Sequence, residues 1–199
     1  MRCICLANLT SGNKLLQLGE RFIHFSQNVK HHCRQLDVTL MEKQAIKIQP
    51  AGDQNAALLF SILQAAFAEY RDRLDPPSGV HHETVETLRR KLETGYASLA
   101  YLDDVAAGCI FYQREDRYLY FGRLSVLPAY RRHGVGHALI RHVEAEAVKW
   151  QLPCVQLGVR LALPELQAFY ESLGYRIIRL GTHTGYAEPT FAVMEKDVK

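Results

Sequence analysis

The chain has 199 residues, of which 48% are hydrophobic and 23% are charged, and its formal net charge is +3. This composition is typical of a soluble globular protein, and no apolar run approaches the roughly 18 residues of a membrane-spanning helix. Residues 1–40 carry five basic and two acidic residues, so the rest of the chain is neutral and lacks the basic face of a nucleic-acid-binding protein. The beginning of the chain lacks the apolar segment of a secretory signal. We therefore expect a cytoplasmic protein whose partners are neither a membrane nor nucleic acid.

Residues 1–40 differ from the rest because they show no sustained hydrophobic period. We interpret them as an N-terminal extension, with a short helix packed on the domain as the alternative, and residues 41–199 as the functional domain. Cys3, Cys5 and His31–Cys33 of this extension match no common spacing of zinc ligands, so we expect no metal.

From residue 41 the apolar residues follow regular strand and helix periods. We predict, in order, a strand at 45–49, a helix capped by Asp53, a helix ending at Gly95, strands at 96–102, 105–113 and 118–127, a helix ending near Trp150, a strand at 154–159, a helix at 164–174, and strands at 175–182 and 190–197. This order predicts an α/β fold with a mixed sheet in one domain.

The stretch VLPAYRRHGVGHAL, residues 126–139, places a glycine-containing turn between a predicted strand and a helix. Such turns bind phosphate through backbone N–H groups and the helix dipole. A P-loop would need lysine and a hydroxyl residue where His137 and Ala138 stand, and a dinucleotide-binding loop would need a third glycine at Leu139. The remaining alternative is a loop in which Gly134 and Gly136 let the backbone wrap a pyrophosphate.

This turn resembles the acetyl-CoA-binding signature of the GNAT superfamily of N-acetyltransferases. Arg131, Gly134 and Gly136 match the family pattern of arginine or glutamine, two residues, glycine, one residue, and glycine or alanine. The segment FYESLGYR, residues 169–176, is similar to the family's later helix and strand start. The resemblance implies a mixed, mostly antiparallel sheet of six or seven strands, with a splayed parallel pair and about four helices.

The resemblance also implies roles for particular residues. Tyr170 would protonate the departing thiolate, and the N–H of Val126 would stabilise the oxyanion. Acetyl-CoA, as co-substrate, would contact Leu124, Ser125, Val126, Arg131, Arg132, His133, Gly134, Val135, Gly136 and Tyr170.

Two positions depart from the family pattern. Leu163 stands where many members have an asparagine that contacts the cofactor, and the strand YLYFGRLSV lacks the glutamate that some members use as a base. His183 is our candidate general base, because a histidine titrates near neutrality and the last inter-strand loop commonly borders the acceptor pocket in this fold. Alternatives for the base or the acceptor wall are Glu69, Tyr70, Tyr112, Glu115 and Asp116.

The resemblance implies transfer of an acetyl group to a primary amine by direct attack in a ternary complex. We expect the amine to belong to a small molecule. A protein or peptide amine, and a non-catalytic coenzyme A-binding module, stay open as alternatives. Dimers are common in the family, so a homodimer is also an open alternative.

Overall fold

The computed structural model describes residues 45–199, which form seven strands and four α-helices. The strands are β1 (Ile46–Ala51), β2 (Tyr96–Leu102), β3 (Val105–Arg114), β4 (Leu119–Val126), β5 (Cys154–Arg160), β6 (Arg176–Gly181) and β7 (Phe191–Asp197). The helices are α1 (Ala56–Phe67), α2 (Val85–Thr94), α3 (Val135–Lys149) and α4 (Pro164–Ser172). The interpretation of residues 1–40 as an extension, and the cysteines and histidines within it, lie outside the described residues.

The seven strands form one sheet with the order β1-β2-β3-β4-β5-β7-β6. Neighbouring strands run antiparallel except for β4 and β5, which are parallel. The mixed, mostly antiparallel sheet with one parallel pair and four flanking helices confirms the predicted fold class.

Alternating side chains along the strands build two apolar layers, one on each face of the sheet. On one face, α3 and α4 contribute Val135, Leu139, Val143 and Tyr170 to a buried cluster. On the other face, α1 and α2 pack a second buried cluster, of which Leu59, Leu63 and Leu88 are members. Each fully buried aliphatic side chain stabilises the fold by roughly 1.5–3 kcal/mol. Within residues 45–199, none of the helices combines the length and apolarity that crossing a membrane requires.

The start of α1 differs from the prediction that Asp53 caps it. Asp53–Asn55 form a 3-10 turn, and α1 begins at Ala56. The Asn55 side-chain oxygen accepts a hydrogen bond of 3.0 Å from the Gly52 N–H, so asparagine stabilises this turn. The carboxylate of Asp53 instead pairs with Arg89 of α2 at 3.1 Å.

Both ends of α4 agree with the sequence. Pro164 occupies its first turn, where a missing N–H costs nothing. Gly174 follows the helix with φ +90°, a left-handed conformation that glycine adopts without a steric penalty.

The parallel pair β4–β5 separates along its length. Backbone pairing is confined to three positions and ends where Phe121 faces Leu157. Beyond that point β4 continues to Val126 beside β3, and β5 continues to Arg160 beside β7. The two strands therefore splay apart and leave a V-shaped gap in the sheet.

A β-bulge in β4 accompanies this splay. Arg123 and Leu124 together face Ile110 of β3, because the register shifts between the pairs Cys109–Ser125 and Phe111–Gly122. Arg123 has φ +50°, a left-handed conformation that interrupts the regular extended backbone at the bulge. Bulges bend a strand and strengthen its twist, so this one turns the end of β4 away from β5.

Candidate active site

The gap between β4 and β5 opens into a cavity of about 940 Å³. Residues from both faces of the sheet line it. One part, which we call the α3–α4 half, is formed by the turn before α3, by α4 and by the β4 side chains that point toward them. Its members include Leu124, Val126 and Tyr170. The other, the α1 half, lies under α1 and the segment between α1 and α2; Arg123 and Arg160 belong to it.

Val126 directs its backbone into the gap. Along an antiparallel pair, successive residues point their N–H and C=O groups alternately toward and away from the partner strand. The N–H of Leu127 donates to the Ala107 carbonyl at 2.9 Å, so Leu127 faces β3. Val126 therefore faces the gap, and its carbonyl accepts a hydrogen bond of 3.4 Å from Arg131 Nε. Its N–H is thus available to an oxygen atom placed between the two strands.

The turn before α3 presents a row of backbone donors. Gly134 precedes α3 with φ +83°, and no side chain of residues 45–199 caps the helix. The first N–H groups of a helix have no partner within the helix, and here they belong to Val135, Gly136 and His137, all of which line the cavity. An uncapped helix N-terminus with its dipole is a ready site for a phosphate group.

The two adjacent arginines of this turn have different environments. The Arg131 guanidinium contacts Glu69 at 2.6 Å and donates to the Ala66 carbonyl at 3.1 Å, so it is directed at the end of α1. Arg132 has φ +63° and lines the cavity. Its side chain makes no hydrogen bond or ion pair with any residue of 45–199.

Nine of the predicted cofactor contacts come together at the cavity wall, and His133 does not. The His133 ring lies outside, exposed, with Nδ1 2.8 Å from the Arg131 carbonyl oxygen. Ser125 lines the cavity through its backbone, because its hydroxyl is buried and donates to the Arg123 carbonyl at 3.0 Å. Leu163, at the position of the family's asparagine, is buried and adds only apolar surface.

Tyr170 lies deep in the α3–α4 half. Its side chain packs against Phe121 and Tyr175 with ring centroids 6.1 and 6.0 Å away, and the residue is 8% exposed. Burial raises the pKa of the Tyr170 hydroxyl far above its ordinary value, and nearby tyrosines add to the shift. The hydroxyl therefore carries its proton at neutral pH, which is the state that a proton donor requires.

His183 lines the same cavity from the loop between β6 and β7. Its Nδ1 lies 2.5 Å from the Thr190 hydroxyl oxygen, and its ring packs edge-on against Phe191 at 5.0 Å. Burial and the nearby Arg160 charge lower the pKa of His183 below its ordinary value. The lowered pKa favours the neutral imidazole at pH 7, and in the tautomer whose Nδ1–H donates to Thr190, Nε2 is able to accept a proton.

The alternative base and wall residues have different positions. Tyr70 lines the cavity, whereas Glu69 forms the ion pair with Arg131, which holds the pKa of its carboxyl below the usual range despite partial burial. Glu115 and Asp116 lie in the β3–β4 turn away from the cavity, and Glu115 accepts a hydrogen bond from Gln113. Tyr112 lies on the α3 face, with its hydroxyl 3.4 Å from Ser98.

Arg123 and Arg160 are cavity residues that sequence reasoning missed. Arg123 donates to the buried Glu83 carboxylate through Nε at 2.9 Å, and this pair ties the β4 bulge to the start of α2. Arg160 ends β5 and donates to the Pro76 carbonyl. A signal for Arg160 was present, because it is the one charged residue at the end of the apolar run CVQLGVR. No pattern marks Arg123, since its orientation depends on the bulge.

The geometry agrees with comparisons to known proteins. A model of the acetyltransferase (GNAT) family matches residues 58–175, which is more than half of the chain. Among curated proteins, the chain is 32% identical over 72 residues to the tRNA(Met) cytidine acetyltransferase TmcA of Pectobacterium atrosepticum. That match covers 36% of this chain, which spans only 10% of the length of that relative.

Solved structures share the fold. The ribosomal-protein-S18-alanine N-acetyltransferase of Escherichia coli has a TM-score of 0.61 at 20% identity, over 77% of this chain and 94% of that one. The PaiA N-acetyltransferase of Thermoplasma acidophilum, in complex with coenzyme A, has a TM-score of 0.64 at 16% identity, over 77% and 99% of the two chains. Together with the family match, the splayed strands and the glycine turn, these findings show that the chain belongs to the acetyltransferase (GNAT) family, whose co-substrate is acetyl-CoA.

Proposed function

We propose that the protein transfers the acetyl group of acetyl-CoA to the primary amine of a small molecule, by direct attack within a ternary complex. The observation that carries this proposal is the gap between β4 and β5, which joins two differently built halves of one cavity. The α3–α4 half holds the uncapped backbone N–H groups at the start of α3, which would bind phosphate, and a protonated tyrosine. The α1 half offers separate space for an acceptor.

The residues of the α3–α4 half fit coenzyme A. The N–H groups of Val135, Gly136 and His137 would bind the pyrophosphate, and Arg132 would add a charge-assisted hydrogen bond. The pantetheine arm would run along the unpaired edge of β4 at Leu124–Val126. This arrangement would place the thioester carbonyl beside the N–H of Val126, which would donate to the oxygen as it gains negative charge.

The proposed chemistry needs one donor and one acceptor of protons. The amine nitrogen attacks the carbonyl carbon, a C–N bond forms, and the C–S bond breaks. Tyr170 donates its proton to the departing sulfur, and the neutral His183 accepts the proton that the amine nitrogen loses. His183 then releases its proton to solvent, and Tyr170 regains a proton from solvent. The products are therefore an amide and a thiol.

Loop contacts at the far end of the α1 half support a compact acceptor. The Tyr186 hydroxyl of the β6–β7 loop donates to the Asp75 carboxylate, and Arg160 at the end of β5 donates to the Pro76 carbonyl. Asp75 and Pro76 belong to the segment between α1 and α2, so these contacts draw two loops together across the end of the cavity. A long peptide would need an open groove at this place.

A protein amine is the second candidate. The E. coli structural neighbour is named for an alanine of ribosomal protein S18, so this fold accommodates a polypeptide acceptor in that protein. A peptide acceptor would require the Tyr186–Asp75 contact to open. Acetylation of peptides at rates above those of any small amine would favour this alternative.

The test is the release of free thiol from acetyl-CoA in the presence of a panel of small amines and short peptides. We expect thiol release that depends on a small amine, with mass spectrometry showing an added acetyl group on that amine. Binding of coenzyme A without thiol release under any of these conditions would indicate a non-catalytic binding module instead. Gly134→Val, which fills the phosphate turn, should abolish both coenzyme A binding and thiol release.

A further inference from the structure

Among the described residues, the cavity wall includes arginines and histidines but no aspartate or glutamate. Its ionisable residues, apart from tyrosines, are four arginines and two histidines. They are Arg123, Arg131, Arg132, Arg160, His137 and His183. The proposed coenzyme A site would explain a positive residue near the pyrophosphate, in the α3–α4 half. It would not explain the arginines of the α1 half.

Three of the four arginines have a partner or an assigned role. Arg131 pairs with Glu69 at 2.6 Å, and Arg123 pairs with the buried Glu83. Arg132 belongs to the phosphate turn. Arg160 is left, and it lies in the α1 half at the end of β5.

The guanidinium of Arg160 forms no close ion pair with a carboxylate of residues 45–199, although the more distant charge of Asp75 partly offsets the cost of its burial. Its Nη2 donates to a neutral carbonyl, that of Pro76, and no carboxylate of residues 45–199 lies within 4.0 Å of it. The nearby Asp75 carboxylate accepts the Tyr186 hydroxyl. The Nε atom of Arg160 is buried and has no hydrogen-bond partner among the described residues. A partly buried cation without an ion-pair partner is costly, and Arg160 lines the cavity, so its position suits an anionic group bound there.

Resting on the proposed function, we propose that the acceptor is an amine that carries a carboxylate, and that Arg160 binds this carboxylate. A guanidinium recognises a carboxylate through parallel hydrogen bonds, which also fix its orientation. Binding at Arg160 would leave the amine of a compact molecule free to reach the gap between β4 and β5. The walls at Tyr70, Leu74 and Val80 are largely apolar and suit a hydrocarbon body. A polyamine would meet the same cavity unfavourably, because the part of its wall formed by residues 45–199 offers no carboxylate to a second ammonium group.

The experiment compares amino acids with the amines formed by their decarboxylation. Phenylalanine with phenethylamine, and leucine with isoamylamine, have matched bodies that differ in the carboxylate. Thiol release gives kcat and KM for each, and a phosphate-bearing amine, phosphoethanolamine, distinguishes carboxylate from general anion recognition. Arg160→Gln removes the charge, Arg160→Lys restores it, and Arg179→Gln on the exposed strand β6 is the matched control. Thermal unfolding checks that each variant is folded.

We expect wild-type enzyme to prefer the carboxylated member of each pair about ten- to hundredfold in kcat/KM, chiefly through KM. Arg160→Gln should remove this preference, Arg160→Lys should restore part of it, and Arg179→Gln should retain it. Equal use of both members by wild-type enzyme, an equal loss with both in Arg160→Gln, or a preference for phosphoethanolamine would each overturn the proposal while the acetyltransferase activity stands. Calorimetry with coenzyme A present measures binding of the same pairs without turnover. Equal affinities for the two members of each pair would overturn the inference about Arg160, whether or not an amine is acetylated. A failure to acetylate any amine would instead count against the proposed function.

Discussion

Arg131 and Glu69 join the glycine-containing turn before α3 to the end of α1 through an ion pair of 2.6 Å. The same guanidinium reaches the Ala66 carbonyl and the Val126 carbonyl, so it links three segments of the cavity wall. The first arginine of the glycine turn is therefore built into the wall, and the second one faces the cavity.

The two arginines should separate stability from cofactor affinity. Arg131→Ala should lower the free energy of unfolding by about 1 kcal/mol, since it removes a half-exposed ion pair and hydrogen bonds to backbone. Arg132→Gln should leave stability unchanged and raise KM for acetyl-CoA about tenfold, with the difference shrinking at high salt. Urea unfolding and thiol-release kinetics measure the two effects. A larger rise in KM for Arg131→Ala than for Arg132→Gln, in folded protein, would reverse these assignments.

The two glycines of the turn should respond differently to alanine. Gly134 has φ +83°, so Gly134→Ala should cost about 1 kcal/mol of stability, although the nearest atom to the added Cβ is 3.7 Å away. Gly136 has ordinary helical geometry, and a Cβ there would meet Val126 at 3.8 Å, an ordinary contact. Gly136→Ala should be neutral or stabilising by at most about 1 kcal/mol. Thermal unfolding of both variants checks the difference, and equal melting temperatures would contradict it.

Tyr170→Phe tests the proton donor. The change keeps the ring and its packing while removing the hydroxyl, so kcat should fall about a hundredfold with little change in KM for acetyl-CoA. Tyr96→Phe is the matched control, because Tyr96 lies on β2 outside the cavity and is 49% exposed. If Tyr170→Phe retained wild-type kcat, another group would have to protonate the sulfur.

The pH profile tests His183. Burial and the Arg160 charge lower its pKa, so the neutral base persists at pH 7 and is lost only as the pH falls below about 6.5. The attacking amine must be neutral, so log kcat/KM should rise with pH with a slope of one below the pKa of the amine. His183 must also be neutral, so the slope should increase toward two at pH values below the pKa of His183. His183→Gln should lower kcat/KM and keep a slope of one throughout. A wild-type profile without the second bend would remove His183 from the mechanism.

The buried Glu83 should stabilise the fold in a pH-dependent way. Burial by itself raises the pKa of its carboxyl, but the Thr87 hydrogen bond and the Arg123 and Lys91 charges outweigh burial and hold the pKa below its usual value. The contribution of ionised Glu83 to the free energy of unfolding is therefore complete at pH values above the ordinary glutamate pKa. It is lost as the pH falls through the lowered pKa of Glu83. Glu83→Gln should cost about 2 kcal/mol at pH 7, and the difference should shrink below about pH 4.

The exposed Glu86 is the control for that variant, since its side chain is 67% accessible and its contact with Arg89 is 3.7 Å long. Glu86→Gln should change the free energy of unfolding by less than about 0.5 kcal/mol. Urea unfolding at about pH 7, 5 and 3, which spans the ordinary and the lowered glutamate pKa, measures both variants. A loss in Glu83→Gln that matched Glu86→Gln, or that did not vary with pH, would contradict the assigned role.

The sequence by itself determined the features that local chemistry controls. Helix and strand periods set the order of elements, and Gly134 and Gly136 indicated the turn before α3 that we propose binds phosphate, because a close backbone approach needs residues without a side chain there. The start of α1 was wrong by a few residues, because Asn55 and not Asp53 stabilises the preceding turn. Boundary choices of this kind depend on small differences between competing short-range hydrogen bonds.

Only the tertiary structure decided which side chains face the cavity. Arg131 and Arg132 are chemically identical neighbours, and the left-handed backbone of Arg132 together with the proximity of Glu69 separates their positions. Arg123 and Arg160 reach the cavity because β4 bulges and β5 diverges from it after Leu157. These events depend on pairing between segments distant in the chain, and no local period encodes the face on which a side chain lies once the register shifts.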